Sequence, residues 1–456
     1  MPRALVLIHR WRPLRRRDTV VSARLGGALG WILLLSACGT GPEPRGPCMS
    51  DVECRGDRIC HEGRCRFEAE VREELGRARA SLETSGGAIE SDAAVSPDAG
   101  ASASADAALS APALVESPAF MGGPRHTGRT TARGPATEPS QRWVYRTGAR
   151  VYASPIVGTD GTIYVGSTDR TFVALAPDGT LRFRYAGGDR FYATAAIDAG
   201  GNLVVGNHDG SVVSLTSAGQ VRWRRELGAP VDASVAVGDD GTLFVAADGL
   251  HALDPQSGQD RWRVASPSPV RTSPALHPSG LVIFATPEGR VTAVRTASGE
   301  VAWEHALGGS TDSSPTITDD GHVVIGDDLS HVTALDASGA QLWQVTVEGD
   351  VRATPAIALD GTIVIGSDDR RIYGISPAGE IRYRVPTSGR VRSSARIDAE
   401  GRAYVGSQDD YLYVIAPDGT LLYRHGLGRD VDSTCAITAD GTIVVGVDDG
   451  GVYALR

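Results

Sequence analysis

A pattern of about forty residues recurs eight times between Gln141 and Arg456, and it leaves few folds open to the chain. An aromatic residue marks each copy: Trp143, Phe183, Trp223, Trp262, Trp303, Trp343, Tyr383 and Tyr423, spaced 40, 40, 39, 41, 40, 40 and 40 residues apart. A turn pair ahead of a β run keeps the same register: Asp160-Gly161, Gly200-Gly201, Asp240-Gly241, Ser279-Gly280, Asp320-Gly321, Asp360-Gly361, Glu400-Gly401 and Asp440-Gly441. Two independent markers with one period mean one supersecondary unit copied eight times.

The unit beginning at Arg352 shows what is copied. Residues 352–358 are β-like and end at Asp360-Gly361, a pair that tolerates the positive φ of a type I′ hairpin. A branched run follows at 362–366, a turn at 367–369 and a third strand at 371–376. Pro377-Ala378-Gly379 makes the next turn and 380–385 a fourth strand. Four short strands, apolar on both faces at Ile363, Val364 and Ile365, cannot cover themselves; placed radially, each sheet covers its neighbours. The expected fold is all-β, an eight-bladed β-propeller of four-stranded antiparallel blades over 117–456. The chain leads in with the fourth-strand pattern Arg142-Trp143-Val144-Tyr145 and finishes on the third-strand pattern Val452-Tyr453-Ala454-Leu455. The leading strand is therefore expected to complete the last blade.

The segments around Ser314-Pro315, Val332-Thr333-Ala334-Leu335-Asp336 and Gly339 to Trp343 resemble the PQQ-type β-propeller repeat, and 120–128 (FMGGPRHTG) resembles the lead-in often found ahead of such propellers. The resemblance runs from Phe120 onward. It implies two kinds of relative: the propeller lipoproteins of the outer-membrane barrel-assembly machinery, which are binding platforms, and the quinoprotein dehydrogenases. The latter hold PQQ against a vicinal disulfide and use Ca²⁺ bound by Glu, Asn and Asp. This chain has no adjacent cysteines, and its repeats carry hardly an insertion.

Ahead of the repeats, 1–37 reads as an export signal: seven arginines, then the apolar stretch 25–35, too short to span a bilayer comfortably. Leu35-Ser36-Ala37-Cys38 matches the bacterial lipobox, which implies acylation of Cys38 and stable anchoring by more than one acyl chain. An ordinary cleaved signal, a downstream start and a twin-arginine role for Arg15-Arg16-Arg17 are the competing readings. Gly39 is not the inner-membrane retention residue Asp, which favours the outer membrane. In 38–66 a short tether leads to Cys48, Cys54, Cys60 and Cys65, which in an exported chain read as two disulfides with three connectivities. Zinc competes, but paired CxxC knuckles are lacking. Residues 67–116 combine an amphipathic helix over 67–82 with an Ala/Ser/Asp linker too poor in large apolar residues to fold. The net charge of −10, with every basic residue an arginine, excludes the basic footprint of a nucleic-acid binder.

The innermost strand of each repeat has a variable position: Tyr152, Tyr192, Asp232, Arg271, Asp312, Arg352, Arg392 and Asp432. These eight side chains are expected to ring one mouth of the central channel. One reading is a salt-bridge belt knitting neighbouring blades; the other is a polar ligand or peptide gripped between Arg352/Arg392 and Tyr152/Tyr192. The adjacent Ser154, Thr194, Ser234, Ser273, Ser314, Thr354, Ser394 and Thr434 are expected to satisfy hydrogen bonds, not to catalyse. Cys435 reads as a buried inert thiol, and the acidic hairpin tips lack the spaced oxygen pattern of a calcium loop. The expected function is a non-catalytic, membrane-anchored scaffold for envelope proteins, with no cofactor, no metal and no nucleic acid. A PQQ–Ca²⁺ dehydrogenase and a polysaccharide or small-ligand binder are the alternatives.

Overall fold

The computed structural model describes residues 119–456 and, by their backbone alone, the strands Arg58–His61 and Arg64–Phe67. The chain divides into two units, Met1–Ala105 and Asp106–Arg456, and the eight blades lie in the second. The export signal, Cys38, Cys48, Cys54 and the linker lie outside the described residues. In the first unit the two strands pair antiparallel with Cys60 opposite Cys65. Phe67, read as the start of a helix, belongs to the second of these strands; the rest of that segment is outside the described residues.

Each of the eight sheets has four antiparallel strands, and in seven of them the strands follow in sequential order. Blades 1 to 7 begin at Ile156, Ala196, Ala236, Ala275, Thr316, Ala356 and Arg396. Blade 8 takes its inner three strands from Ala436–Ile437, Ile443–Gly446 and Gly451–Leu455, and its outer strand from Gln141–Arg146. Trp143 stands opposite Ala454 and Tyr145 opposite Val452. Ser140 and Arg456 exchange backbone hydrogen bonds of 2.9 and 2.8 Å beyond the last pair. The ring is thus closed by strands three hundred residues apart in sequence.

Two local expectations need correction. The inner strand of the sixth blade has only Ala356–Ile357 in the ladder, because the residues before it line the channel instead of pairing. The turn at Asp360-Gly361 is not type I′. Only the glycine has positive φ, and Gly361 N bonds Ala358 O while Ala358 N bonds Thr362 O. That is a three-residue loop with a left-handed glycine. Asp360 instead accepts from the Thr362 backbone N–H at 3.0 Å and its hydroxyl at 2.8 Å.

The outer strand carries a one-residue bulge just before the marker aromatic. The bulged residue is an arginine in several blades, and it turns back over the blade to the aspartate of that turn: Arg142 to Asp440 at 2.9 Å, Arg261 to Asp240 at 3.0 Å and Arg382 to Asp360 at 2.6 Å. Bulges re-aim side chains in this way. Seven of the eight marker aromatics, Trp143 to Tyr383, pack under the third turn of the next repeat. Trp143 Nε1 donates to Pro177 O at 3.0 Å, and a Cβ on Gly179 (φ +86°) would lie 2.6 Å from the Trp143 ring, so only glycine fits there. The core is divided into clusters, one per blade interface. Phe172, Phe191 and Val213 share the first with Ile156, and Val151, Val173 and Val444 seal blade 8 against blade 1. Each fully buried large side chain contributes about 1.5–3 kcal/mol, so the blades hold by mutual burial.

The lead-in segment is a plug. From Phe120 it runs across the ends of four inner strands, where its carbonyls accept from their backbone N–H groups: Leu276 to Pro124, Ile317 to Arg125, Ile357 to Thr127 and Ile397 to Gly128, at 2.7–2.9 Å. Met121 is wholly buried in a left-handed conformation (φ 51°). His126 is buried, its Nδ1 2.9 Å from Pro315 O; burial lowers its pKa to about 4, so it is neutral at physiological pH. The segment ends on a latch around buried Asp398, which accepts from Gly134 N at 3.2 Å and Arg402 Nε at 2.8 Å. The Tyr423 hydroxyl donates to Pro135 O at 2.9 Å.

Candidate functional site

The eight variable positions do converge. Tyr152, Tyr192, Asp232, Arg271, Asp312, Arg352, Arg392 and Asp432 line one cavity of about 190 Å³, with the Ser/Thr ring beneath them and Phe120 of the plug among its walls. The plug runs along the far ends of the inner strands, so the cavity is a blind well opening at the charged ring.

The Ser/Thr ring does what its chemistry suggested. Ser154 N donates to Thr194 Oγ1 (3.2 Å), Thr194 N to Ser234 Oγ (3.1 Å), Ser234 N to Ser273 Oγ (3.0 Å) and Ser273 N to Ser314 Oγ (2.9 Å). Thr354 N donates to Ser394 Oγ (3.0 Å) and Thr434 N to Ser154 Oγ (3.0 Å). At these six of the eight positions the buried backbone N–H that the short ladder leaves over is taken by the next blade's hydroxyl.

The charged ring departs from a belt of neighbour-to-neighbour ion pairs. Its one close approach within the ring is Arg352 to Asp312, at 4.0 Å. The partners come instead from a second tier, on the preceding repeat's hairpin tip and twenty-four residues earlier. His208 Nδ1 lies 2.8 Å from Asp232, Asp328 lies 3.2 Å from Arg352, and Gln408 Nε2 donates to Asp432 at 3.0 Å. Asp368 takes both Nε (3.0 Å) and Nη2 (2.8 Å) of Arg392, the planar fork that arginine offers a carboxylate. Blades are knitted, as expected, but through this tier. Nothing in the repeat aromatics pointed to it; the constant offset of twenty-four residues between the paired positions was the readable signal.

The seam between blades 8 and 1 is electrostatically the most perturbed part of the mouth. Burial and the charge of Asp432 push the Asp448 carboxyl up to about 7, and burial with Asp432 and Asp410 pushes Asp430 up to about 6. Burial also raises Asp432 and carries the Tyr152 hydroxyl up to about 12. Arg150 donates to that hydroxyl at 2.8 Å, and Tyr152 packs on Tyr192 with ring centroids 5.9 Å apart. Cys435 is buried and its pKa raised to about 12 by burial, which makes the thiol unreactive. Among the described residues no group of three or more His, Cys, Asp or Glu is placed to hold a metal.

The family model described as outer membrane protein assembly factor BamB matches residues 208–328, 246–400 and 328–456. No curated protein matches the chain. Among solved structures it is similar to BamB from Moraxella catarrhalis, at 17% identity over 70% of this chain and 97% of that one, with a TM-score of 0.58. It is similar also to a europium-containing methanol dehydrogenase, at 13% identity over 74% and 90% of the two chains, TM-score 0.64. A quinohemoprotein alcohol dehydrogenase from Comamonas testosteroni matches at 13% identity over 75% and 80%, TM-score 0.64. At such identities the structural likeness shows the propeller alone. The eight sheets, their hydrogen-bonded closure and the matched repeats together place the chain in the PQQ-like β-propeller family to which the BamB model belongs.

Proposed function

We propose that this protein is a non-catalytic scaffold of the cell envelope, anchored through Cys38 to the outer membrane, whose propeller docks partner proteins in outer-membrane assembly. The observation that carries the reading is the economy of the blades. Consecutive blades follow one another with hardly an insertion, so no loop is spared to build a catalytic chamber over the well. The mouth is largely self-satisfied, with most of its charges tied to the second tier. The residues present do not fit PQQ with Ca²⁺: no two cysteines are adjacent, and Cys435 is a buried single thiol. The match to a BamB family model supports envelope partners.

Two measurements test this. Calorimetric titration of the purified protein with PQQ, with and without Ca²⁺, together with dye-linked alcohol oxidation, is expected to show neither binding nor turnover; tight binding with turnover would overturn the proposal. Crosslinking in intact cells is expected to trap envelope proteins on the propeller, and Cys38→Ser to release the protein from the membrane fraction.

A further inference from the structure

One cation of the mouth stands outside the second-tier pattern. Arg352 and Arg392 each have a carboxylate from the preceding hairpin, and Asp232 and Asp432 have His208 and Gln408. Arg271 has neither ion pair nor hydrogen bond among the described residues, although it lines the same well.

The cause is local and legible. In blade 2 the pair that closes the tip hairpin is Gly206 with Val212; in blade 3 it is Ala246 with Leu250, a hairpin two residues shorter. The backbone keeps its place, since Val270 N bonds Ala247 O as Val231 N bonds Asn207 O. Asp248 therefore follows Ala247 as His208 follows Asn207. On the shortened tip, however, its carboxylate goes to His251 Nε2 at 2.8 Å and to Arg263 Nη2 at 2.5 Å. The side chain that would have neutralised Arg271 is engaged elsewhere, and the guanidinium is left facing a blind well.

We propose that this well receives the free carboxylate end of an extended polypeptide, with Arg271 as its anchor. An unengaged guanidinium offers a planar fork that matches a carboxylate. Asp232 and Asp312 hold the flanking ring positions, which disfavours a doubly charged phosphate and suits a singly charged group. A volume of about 190 Å³ has room for a terminal residue. The plug bars threading, so an end must enter. Polar hydroxyls line the depth and the stacked Tyr152 and Tyr192 form part of the wall. Naming a polypeptide end rests on the docking reading above; the Arg271 site does not.

The test is calorimetric titration of the full-length protein with the N-acetylated tetrapeptide Gly-Ser-Ala-Ala, its C-terminal amide, and acetate. The free acid is expected to bind, and the amide at least about tenfold more weakly, the loss of one charge-assisted interaction. Arg271→Gln is expected to weaken the acid to the level of the amide while leaving the melting temperature unchanged, since Arg271 makes no contact that folding uses; Arg271→Lys should recover part of the affinity. Equal binding of acid and amide, no binding of either, or indifference to Arg271→Gln would overturn the site. Acetate as tight as the peptide, still dependent on Arg271, would overturn the polypeptide end and leave a small-carboxylate site. Neither result touches the crosslinking outcome, so failure here and failure of the docking reading are separately visible.

Discussion

Thr434 donates its backbone N–H to Ser154 Oγ at 3.0 Å, joining the last inner strand to the first across 280 residues of sequence. The same bond recurs between neighbouring blades elsewhere in the ring, but here it spans the seam at which the circle closes. It lies in the layer beneath the charged mouth, where Ser154 and Thr434 are both buried.

Ser154→Ala is expected to destabilise the propeller by about 1–3 kcal/mol, because a buried N–H loses its acceptor and gains none. Urea denaturation measures it. A midpoint equal to the parent's would mean that another acceptor, or a water, already serves Thr434.

The seam also predicts a pH dependence. The Asp448 carboxyl faces Arg150 Nε at 3.8 Å together with Asp430, Asp432 and Tyr152, and keeps its proton up to about pH 7; Asp430 keeps its own up to about 6. The same groups in the unfolded chain ionise near 3.8. Between about pH 4 and 7 the folded chain therefore binds more protons than the unfolded one, and this contribution to stability declines as the pH rises through that window. Asp448→Asn should match the parent near pH 3, below both ionisations, and exceed it by a growing margin from about pH 4 to 7. Parallel curves across the range would refute the assignment.

The plug should open without the ring unfolding. Gly134 sits where any Cβ would collide with the Tyr404 hydroxyl, so Gly134→Ala must displace the end of the latch. Amide hydrogen exchange is expected to quicken over 119–135 and at Ile357 and Ile397, whose N–H groups the plug carbonyls accept, while the outer strands stay protected. Uniform loss of protection would show that plug and ring unfold together.

Arg396 occupies an inner-strand position filled in the other blades by Ile156, Ala196, Ala236, Ala275, Thr316, Ala356 and Ala436. It is buried to 1% exposure, donates from Nε to Cys435 O at 3.0 Å, and has Nη1 buried without a partner. Burial lowers its pKa to about 10, which still leaves it charged at pH 7. Arg396→Met keeps the volume and removes a poorly compensated charge, so the thermal midpoint should hold or rise, by the equivalent of about 1 kcal/mol or more. A clear fall would mean that the guanidinium has partners beyond Cys435.

Much of this architecture is written locally. The forty-residue period, the aromatic after each bulge and the turn glycine at one register of every repeat specify strands and turns through contacts a few residues apart, so blade number, closure by the leading strand and the eight mouth positions follow from the chain alone. The hydroxyl ring was legible for the same reason: a Ser or Thr at one register in every repeat has one neighbour to bond. Tertiary structure decided what repetition cannot encode. The path of the plug across four inner strands is a set of unrepeated long-range contacts. The tier that holds Arg352, Arg392, Asp232 and Asp432 exists only once blades stand side by side. The shortened hairpin of blade 3 stands in the sequence, but that its Asp248 carboxylate goes to His251 and Arg263 and leaves Arg271 without such a partner is decided by contacts.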